Sequence, residues 1–387
     1  MTDIKKLFSG VGVVIDEKIN EPTRTPNSIQ KIVSSLQENH IPLLKYQELP
    51  DELIKQFHSI SFLILDWNLS GTDYIPEATI NDNIEFLKGL HNVCYVPVFI
   101  FSDENIHDIE VALETHNINI AKEPIFIKKK NEVDTSDKLF AEITNWLKRT
   151  PPAYLLKEWE KNIREAKTSM LWSLTEAHPA WPQILRENID NDGGDKDYDL
   201  LNLLQNNLSY RINPIKFDDD ILVPEVVGDI TKEDLRKILE CERFIPNDKL
   251  PDYPFAGDIY FKDGEHFINI RPDCDIIREQ KDLYLLKGIF IDESNINKQE
   301  SDKNIPFVNG EFIEKRNCSY VAFIQGKIMK FNYRKLSIEK WNNIKAYRLG
   351  RLLPPYISKI QQQYAAYLQR QGLPSIPKQA IIFDNNA

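Results

Sequence analysis

The chain has 387 residues, 42% hydrophobic and 28% charged, with 59 acidic against 48 basic side chains and a formal net charge of -11. That length can bury a substantial core in two or three domains, and that charge disfavours nucleic-acid binding by the chain as a whole. No stretch reaches the about 18 uninterrupted apolar residues of a membrane span, and the start, MTDIKKLFSG, lacks the apolar run of a signal peptide.

A cytoplasmic location is the resulting expectation. The four cysteines, Cys94, Cys241, Cys274 and Cys318, are widely spread with no C-x-x-C pair, which argues against a zinc site or disulfide framework and suits a reducing compartment. Charge is uneven along the chain. From Lys327 to Arg370, ten Lys/Arg face Glu339 alone, a local +9, so the remainder carries -20.

Residues 1–150 alternate short apolar runs with helical stretches. VGVVI (11–15), IPLL (41–44), FLIL (62–65), VPVFIF (96–101) and IFI (125–127) are short and rich in β-formers, as buried parallel strands are. Amphipathic stretches near 26–39, 51–59, 81–91, 105–116 and 135–148 fall between and after them. Five such βα units predict a flavodoxin-like, doubly wound α/β domain with a five-stranded parallel sheet. The TPP run at 150–152 reads as its exit.

Residues 151–222 read as a helical connector, with DNDGGDKD (190–197) as a polar break. Residues 223–335 read as a small β-rich α+β domain: a helix at ITKEDLRKILEC (230–241), then strand-like GDIYF, HFINI, DLYLLKGIFI, FVNGEFIE and YVAFIQGKIMKF, with hairpin turns at KDGE and QGK. Residues 336–387 read as a basic helical tail. The whole +9 segment, 327–370, is a candidate surface for an acidic protein partner. Its interleaved Trp341, Tyr347, Tyr356, Tyr364 and Tyr367 also admit a nucleic-acid-binding effector, the less favoured reading.

Ligands of open parallel sheets collect at the carboxyl ends of the strands. Those ends carry Asp16 and Glu17 after the first strand, Asp66 after the third, Ser102 after the fourth, and Lys128 and Lys129 after the fifth. Converging carboxylates repel unless a hard divalent cation sits among them, and a hydroxyl and an ammonium suit phosphoryl oxygens. Any one of these residues alone is more often a cap or a surface charge. Together, in order, they describe phosphoryl transfer to a carboxylate.

This constellation resembles the receiver domain of two-component response regulators over about residues 8–150. The resemblance implies Asp66 as phosphoacceptor, and Asp16, Glu17, Asp66 and the backbone carbonyl of Asn68 as ligands of Mg²⁺. It further implies Ser102 as switch hydroxyl, Lys128 (or Lys129) as the phosphate-contacting lysine, and a histidine kinase as partner. Two places depart from the family: Ser70 stands where a proline is usual, and Lys-Lys-Lys where a lysine-proline pair is usual. A receiver joined to a region without a DNA-binding motif is similar in layout to receiver proteins of bacterial phage-defence systems such as Detocs. Signalling through the C-terminal region, or drainage of phosphate from a kinase, is the function this implies. A receiver that keeps only the fold and acts as an unphosphorylated adaptor is the competing expectation.

Other chemistry finds little support. No Walker, G-x-S-x-G or H-E-x-x-H motif is present. His178 is followed by Pro179, which disfavours a phosphotransfer histidine within a helix. In RPDCDII (271–277), aspartates on both sides of Cys274 would raise its thiol pKa, so a buried cysteine beside capping aspartates is expected there.

Overall fold

The computed structural model describes residues 4–212, 215–222, 230–278, 282–291 and 318–370. The chain divides into two compact units, Met1–Trp181 with Leu203–Gly228, and Pro182–Asn202 with Asp229–Ala387. Among the described residues no helix is long and apolar enough to cross a membrane.

The first unit is built on strands β1 (Gly12–Ile15), β2 (Leu43–Tyr46), β3 (Phe62–Leu65), β4 (Val98–Ser102) and β5 (Ile125–Lys129). They form one sheet in the order β2-β1-β3-β4-β5 with every pair parallel. This is the flavodoxin-like order, with its topological switch between β1 and β3. Successive side chains of a strand point to opposite faces, which explains why the strands read as unbroken apolar runs. Val14, Phe62, Ile64, Phe99, Phe101 and Phe126 face one core, closed by Ser28–Glu38 and Ser136–Arg149. Val13, Ile15, Leu63, Leu65, Val98, Ile100, Ile125 and Ile127 face the other, closed by Glu77–Val93 and Ile106–Thr115. Helix starts follow local chemistry: Asn27 forms a capping box with Gln30, and Asn105 and Thr135 cap the helices after β4 and β5.

The TPP run is not the exit of this unit. Pro151 opens the 27-residue helix Pro151–Ala177, where a missing amide hydrogen costs nothing. Ala153 and Tyr154, the two residues after Pro152, are fully buried in the first core, and the Tyr154 hydroxyl accepts from the backbone N–H of Asp218 at 2.8 Å. Residues read as a separate connector therefore contribute to both units.

The second unit holds a seven-stranded sheet. Its strands are β6 (Phe244–Pro246), β7 (Asp258–Lys262), β8 (Glu265–Asn269), β9 (Asp282–Ile291), β10 (Cys318–Ile324), β11 (Lys327–Lys340) and β12 (Arg348–Leu352). Their order is β10-β11-β9-β8-β7-β12-β6, all pairs antiparallel. The expected hairpins form at Asp263-Gly264 and Gln325-Gly326, where both residues take positive φ, the backbone that tight two-residue loops require. Ile259, Ile268, Leu286, Val321, Met329 and Phe331 make the core, with Ile357 and Ile360 from the helix Tyr356–Gln369. The stretch FVNGEFIE lies outside the described residues.

The segment read as a basic helical tail is different in kind. Residues 336–340 finish β11, and β12 is inserted between β7 and β6; Tyr356–Gln369 is its long helix. The reason is a buried carboxylate. Asp258 is fully buried and receives Arg351 Nε at 2.6 Å and Arg348 Nη1 at 3.4 Å. Arg348 also donates to the carbonyls of Pro251 and Tyr253. Burial pushes the Asp258 carboxyl above the usual range, and the arginines pull against it. Of the ten positive charges, Arg348 is thus buried and Arg351 partly buried, and Trp341 and Tyr356 are buried as well.

Removing one partner of such a network strands the other charges away from water. Asp258→Ala is expected to lower the stability of the second unit by about 3–5 kcal/mol, measured as a shift of the urea midpoint, whereas the exposed Asp248→Ala is expected to change it by less than about 0.5 kcal/mol.

Candidate functional site

Asp16 is the first residue past β1 and Asp66 the first past β3. Their backbone amides are held by Tyr46 O at 2.9 Å and Ile15 O at 2.8 Å, continuing the sheet ladder one step beyond the strands. Adjacent parallel strands in register therefore deliver two carboxylates to one edge. Both are buried, Asp16 at 0% and Asp66 at 3% exposure. Ser102, the last residue of β4, is also buried and donates from Oγ to Asp66 Oδ1 at 2.9 Å.

The cation between the carboxylates is Lys130. Its Nζ lies 2.7 Å from Asp66 Oδ2 and 2.7 Å from Asp16 Oδ2, with the side chain buried. Lys128 is turned instead toward Glu142 at 3.1 Å and Glu132 at 3.9 Å, and Lys129 is exposed. The expectation of Lys128 or Lys129 is corrected here for a simple geometric reason. Strand β5 runs to Lys129, two residues beyond the apolar run IFI, and residues 128 and 129 still pair with Phe101 and Ser102. The lysine at the edge is the first residue past the strand, the same position that Asp16 and Asp66 occupy. That shared position is the signal that would have found it.

Glu17 completes the cluster. Carboxylate oxygens of Asp16, Glu17 and Asp66 lie within 4.8 Å of one another. Glu17 Oε2 is buried and has no hydrogen-bond partner among the described residues, while Lys18 reaches Glu17 Oε1 at 3.2 Å from a half-exposed position. Three carboxylates around one buried ammonium leave excess negative charge and an orphaned oxygen, a donor set of the hard oxygen type that Mg²⁺ takes. The residues present fit such an ion.

Burial pushes the Asp66 carboxyl up to about 6; Lys130 draws it down and Glu17 pushes it up again. Asp16 is raised by burial against the pull of Lys130. Burial disfavours the charge on Lys130, yet attraction from Asp66 and Asp16 outweighs it and keeps the ammonium protonated.

The loop after Asp66 makes side-chain contacts that the sequence does not report. Trp67 is buried in the second core, and its carbonyl accepts from Asn83 Nδ2 at 2.7 Å. Asn68 donates its backbone N–H to Asp66 Oδ1 at 3.4 Å, and its side-chain amide to Thr72 O at 2.7 Å and Glu104 Oε1 at 2.9 Å. Ser70 donates its hydroxyl to Asn68 Oδ1 at 2.7 Å. A polar lattice shapes this loop.

Two remaining candidates lie elsewhere. His178 is an exposed residue just past Ala177, accepting from the N–H of Ala180. Cys274 is exposed, not buried, because it sits in the short helix Asp273–Arg278 and not at a strand end. Asp273 accepts from the N–H of Ala256 at 2.7 Å, a contact with a loop 17 residues away in place of the expected local cap.

Comparison with protein-family models, with curated proteins and with solved structures gave no match.

The lysine assignment has a measurable consequence. In metal-free buffer at pH 7, Lys130→Met is expected to destabilise the first unit by on the order of 3 kcal/mol, because two buried carboxylates lose their cation. The deficit should shrink as pH falls and Asp16 and Asp66 take up protons. Lys128→Met is expected to cost less than about 1 kcal/mol at either pH. Thermal melts at pH 5 and pH 7 make the comparison.

Proposed function

We propose that this chain is a receiver-type phosphoacceptor in which Asp66 takes a phosphoryl group from the phosphohistidine of a partner histidine kinase. The single observation that carries the reading is the arrangement around Asp66. One carboxylate oxygen accepts from the Ser102 hydroxyl, the other meets the Lys130 ammonium, and Asp16 and Glu17 stand beside them.

The reaction follows from that chemistry. An Asp66 oxygen attacks the phosphorus in line, an O–P bond forms, the P–N bond to the imidazole breaks, and the imidazole leaves with the electron pair. Asp16, Glu17 and Asp66, with the Asn68 carbonyl, would hold Mg²⁺, which when bound would supply charge neutralisation for the phosphoryl oxygens. Ser102 offers its hydroxyl to the new phosphoryl group, and Lys130 its positive charge. The product carries about two negative charges where one carboxylate stood, and the shift of Ser102 and Lys130 toward it is the change that neighbouring elements can read.

The output is part of the same proposal. A receiver fold joined to a separate antiparallel unit suits signalling through that unit or drainage of phosphate from the kinase. The layout similarity to phage-defence receiver proteins supports a defence setting. The chain works in the cytoplasm in this reading, where its kinase partner and Mg²⁺ are found.

Intact-mass measurement after incubation with Mg²⁺ and acetyl phosphate tests the acceptor. A one-phosphoryl adduct is expected in the wild type and none in Asp66→Ala, with formation strongly slowed in Asp16→Ala. Absence of the adduct from the wild type, or its persistence in Asp66→Ala, rejects the reading and favours the unphosphorylated adaptor.

A further inference from the structure

Asn83 is a costly residue for its position. It lies on the helix Glu77–Val93 at a place in step with Ile80, Ile84, Leu87 and Leu90, which pack in the second core, and it is 0% exposed. An aliphatic side chain would suit that stripe. Its Nδ2 is used, donating to Trp67 O at 2.7 Å, but its Oδ1 is buried with no partner among the described residues. A stranded buried acceptor is unfavourable, so the donor it accompanies needs a purpose.

The peptide group that joins Trp67 to Asn68 supplies one. Its carbonyl is gripped by Asn83, and its N–H donates to Asp66 Oδ1 at 3.4 Å. The peptide is planar, so fixing the carbonyl direction fixes the N–H direction. The same Oδ1 also accepts from Ser102 at 2.9 Å. Asn83, a rigid planar peptide and the carboxylate of Asp66 thus form one continuous chain of hydrogen bonds, which polarise each other in the same sense. Asn83 anchors the loop to a helix packed in the core, at the end next to Asp66.

We propose that Asn83 is a positioning residue for Asp66, acting through the Trp67–Asn68 peptide. The proposal rests on the phosphoacceptor reading. Without Asn83 the peptide gains rotational freedom, the Asn68 N–H no longer holds Oδ1, and the attacking carboxylate samples orientations that are not in line with phosphorus. Misplacement of a reacting group acts on the limiting rate and leaves donor capture in place.

The test uses the full chain with Asn83→Leu, which keeps the branched heavy-atom shape, removes the donor and removes the stranded acceptor. Hydrogen exchange of the Asn68 amide, resolved by NMR without metal or phosphodonor, is expected to be about tenfold faster, with the melting temperature retained. With Mg²⁺ and acetyl phosphate, the limiting phosphorylation rate is expected to fall by about tenfold or more, while the half-saturating acetyl phosphate concentration stays as in the wild type. Unchanged exchange at Asn68 overturns the proposal, as does faster exchange with an unchanged limiting rate. Should Asn83→Leu fail to fold, Asn83→Ser, too short to reach the Trp67 carbonyl, carries the same comparison. A wild type that takes up no phosphoryl group defeats the phosphoacceptor reading itself, and the exchange measurement still decides whether Asn83 holds the peptide.

Discussion

One ammonium between two buried carboxylates organises the first unit. Asp16 and Asp66 come from neighbouring strands of a parallel sheet, and the register that brings them together also buries them. Two carboxylates at that distance in a low-dielectric edge repel and lose hydration. Lys130 at 2.7 Å from each is what allows the edge to close. The arrangement remains under-neutralised, since Glu17 adds a third carboxylate with an orphaned oxygen. A sheet edge of this kind is stable enough to fold, and it retains a preference for added positive charge. It combines the two conditions under which a carboxylate can be both held in place and chemically used.

The loop after Asp66 deals with the same constraint by other means. A proline would stiffen the chain there by fixing φ. Here hydrogen bonds hold it: Asn83 to the Trp67 carbonyl, Asn68 to Thr72 and Glu104, Ser70 to Asn68. The contact between Asn68 and Glu104 also ties the loop after β3 to the loop after β4, where Ser102 sits. Rigidity is then distributed over several contacts that join the two loops.

The second unit solves a comparable problem with opposite signs. Asp258 is a buried anion that holds two arginines, and their pairing with it and with backbone carbonyls draws β12 into the sheet. Arg351 stacks over Phe255 and Arg348 over Trp341, so the guanidinium faces are covered by aromatic rings as well. Basic residues interleaved with aromatics therefore describe an interior here, at least for these members of the segment. The same interleaving on a linear sequence is indistinguishable from a surface that awaits an acidic partner.

Local pattern was sufficient for the strands of the first sheet and the positions of Asp16, Asp66 and Ser102, because apolar runs of strand length leave few ways to be buried and the residues at their carboxyl ends must lie at one edge. The hairpins at Asp263-Gly264 and Gln325-Gly326 were legible for a similar reason, since few residues tolerate positive φ. The tertiary structure decided which of three consecutive lysines reaches Asp66, because that depends on where β5 stops pairing with β4, and apolar content does not report it. It decided that Pro151 begins a helix belonging to the first unit, since proline is equally at home at a domain exit and at a first helical turn. It decided the fate of Arg348 and Arg351, whose partner Asp258 lies ninety or more residues away. Sequence determines what each residue can offer within its own strand or turn; contacts across long chain separations determine which offers are taken up, because pairing energies depend on distance in space and burial, neither of which is written along the chain.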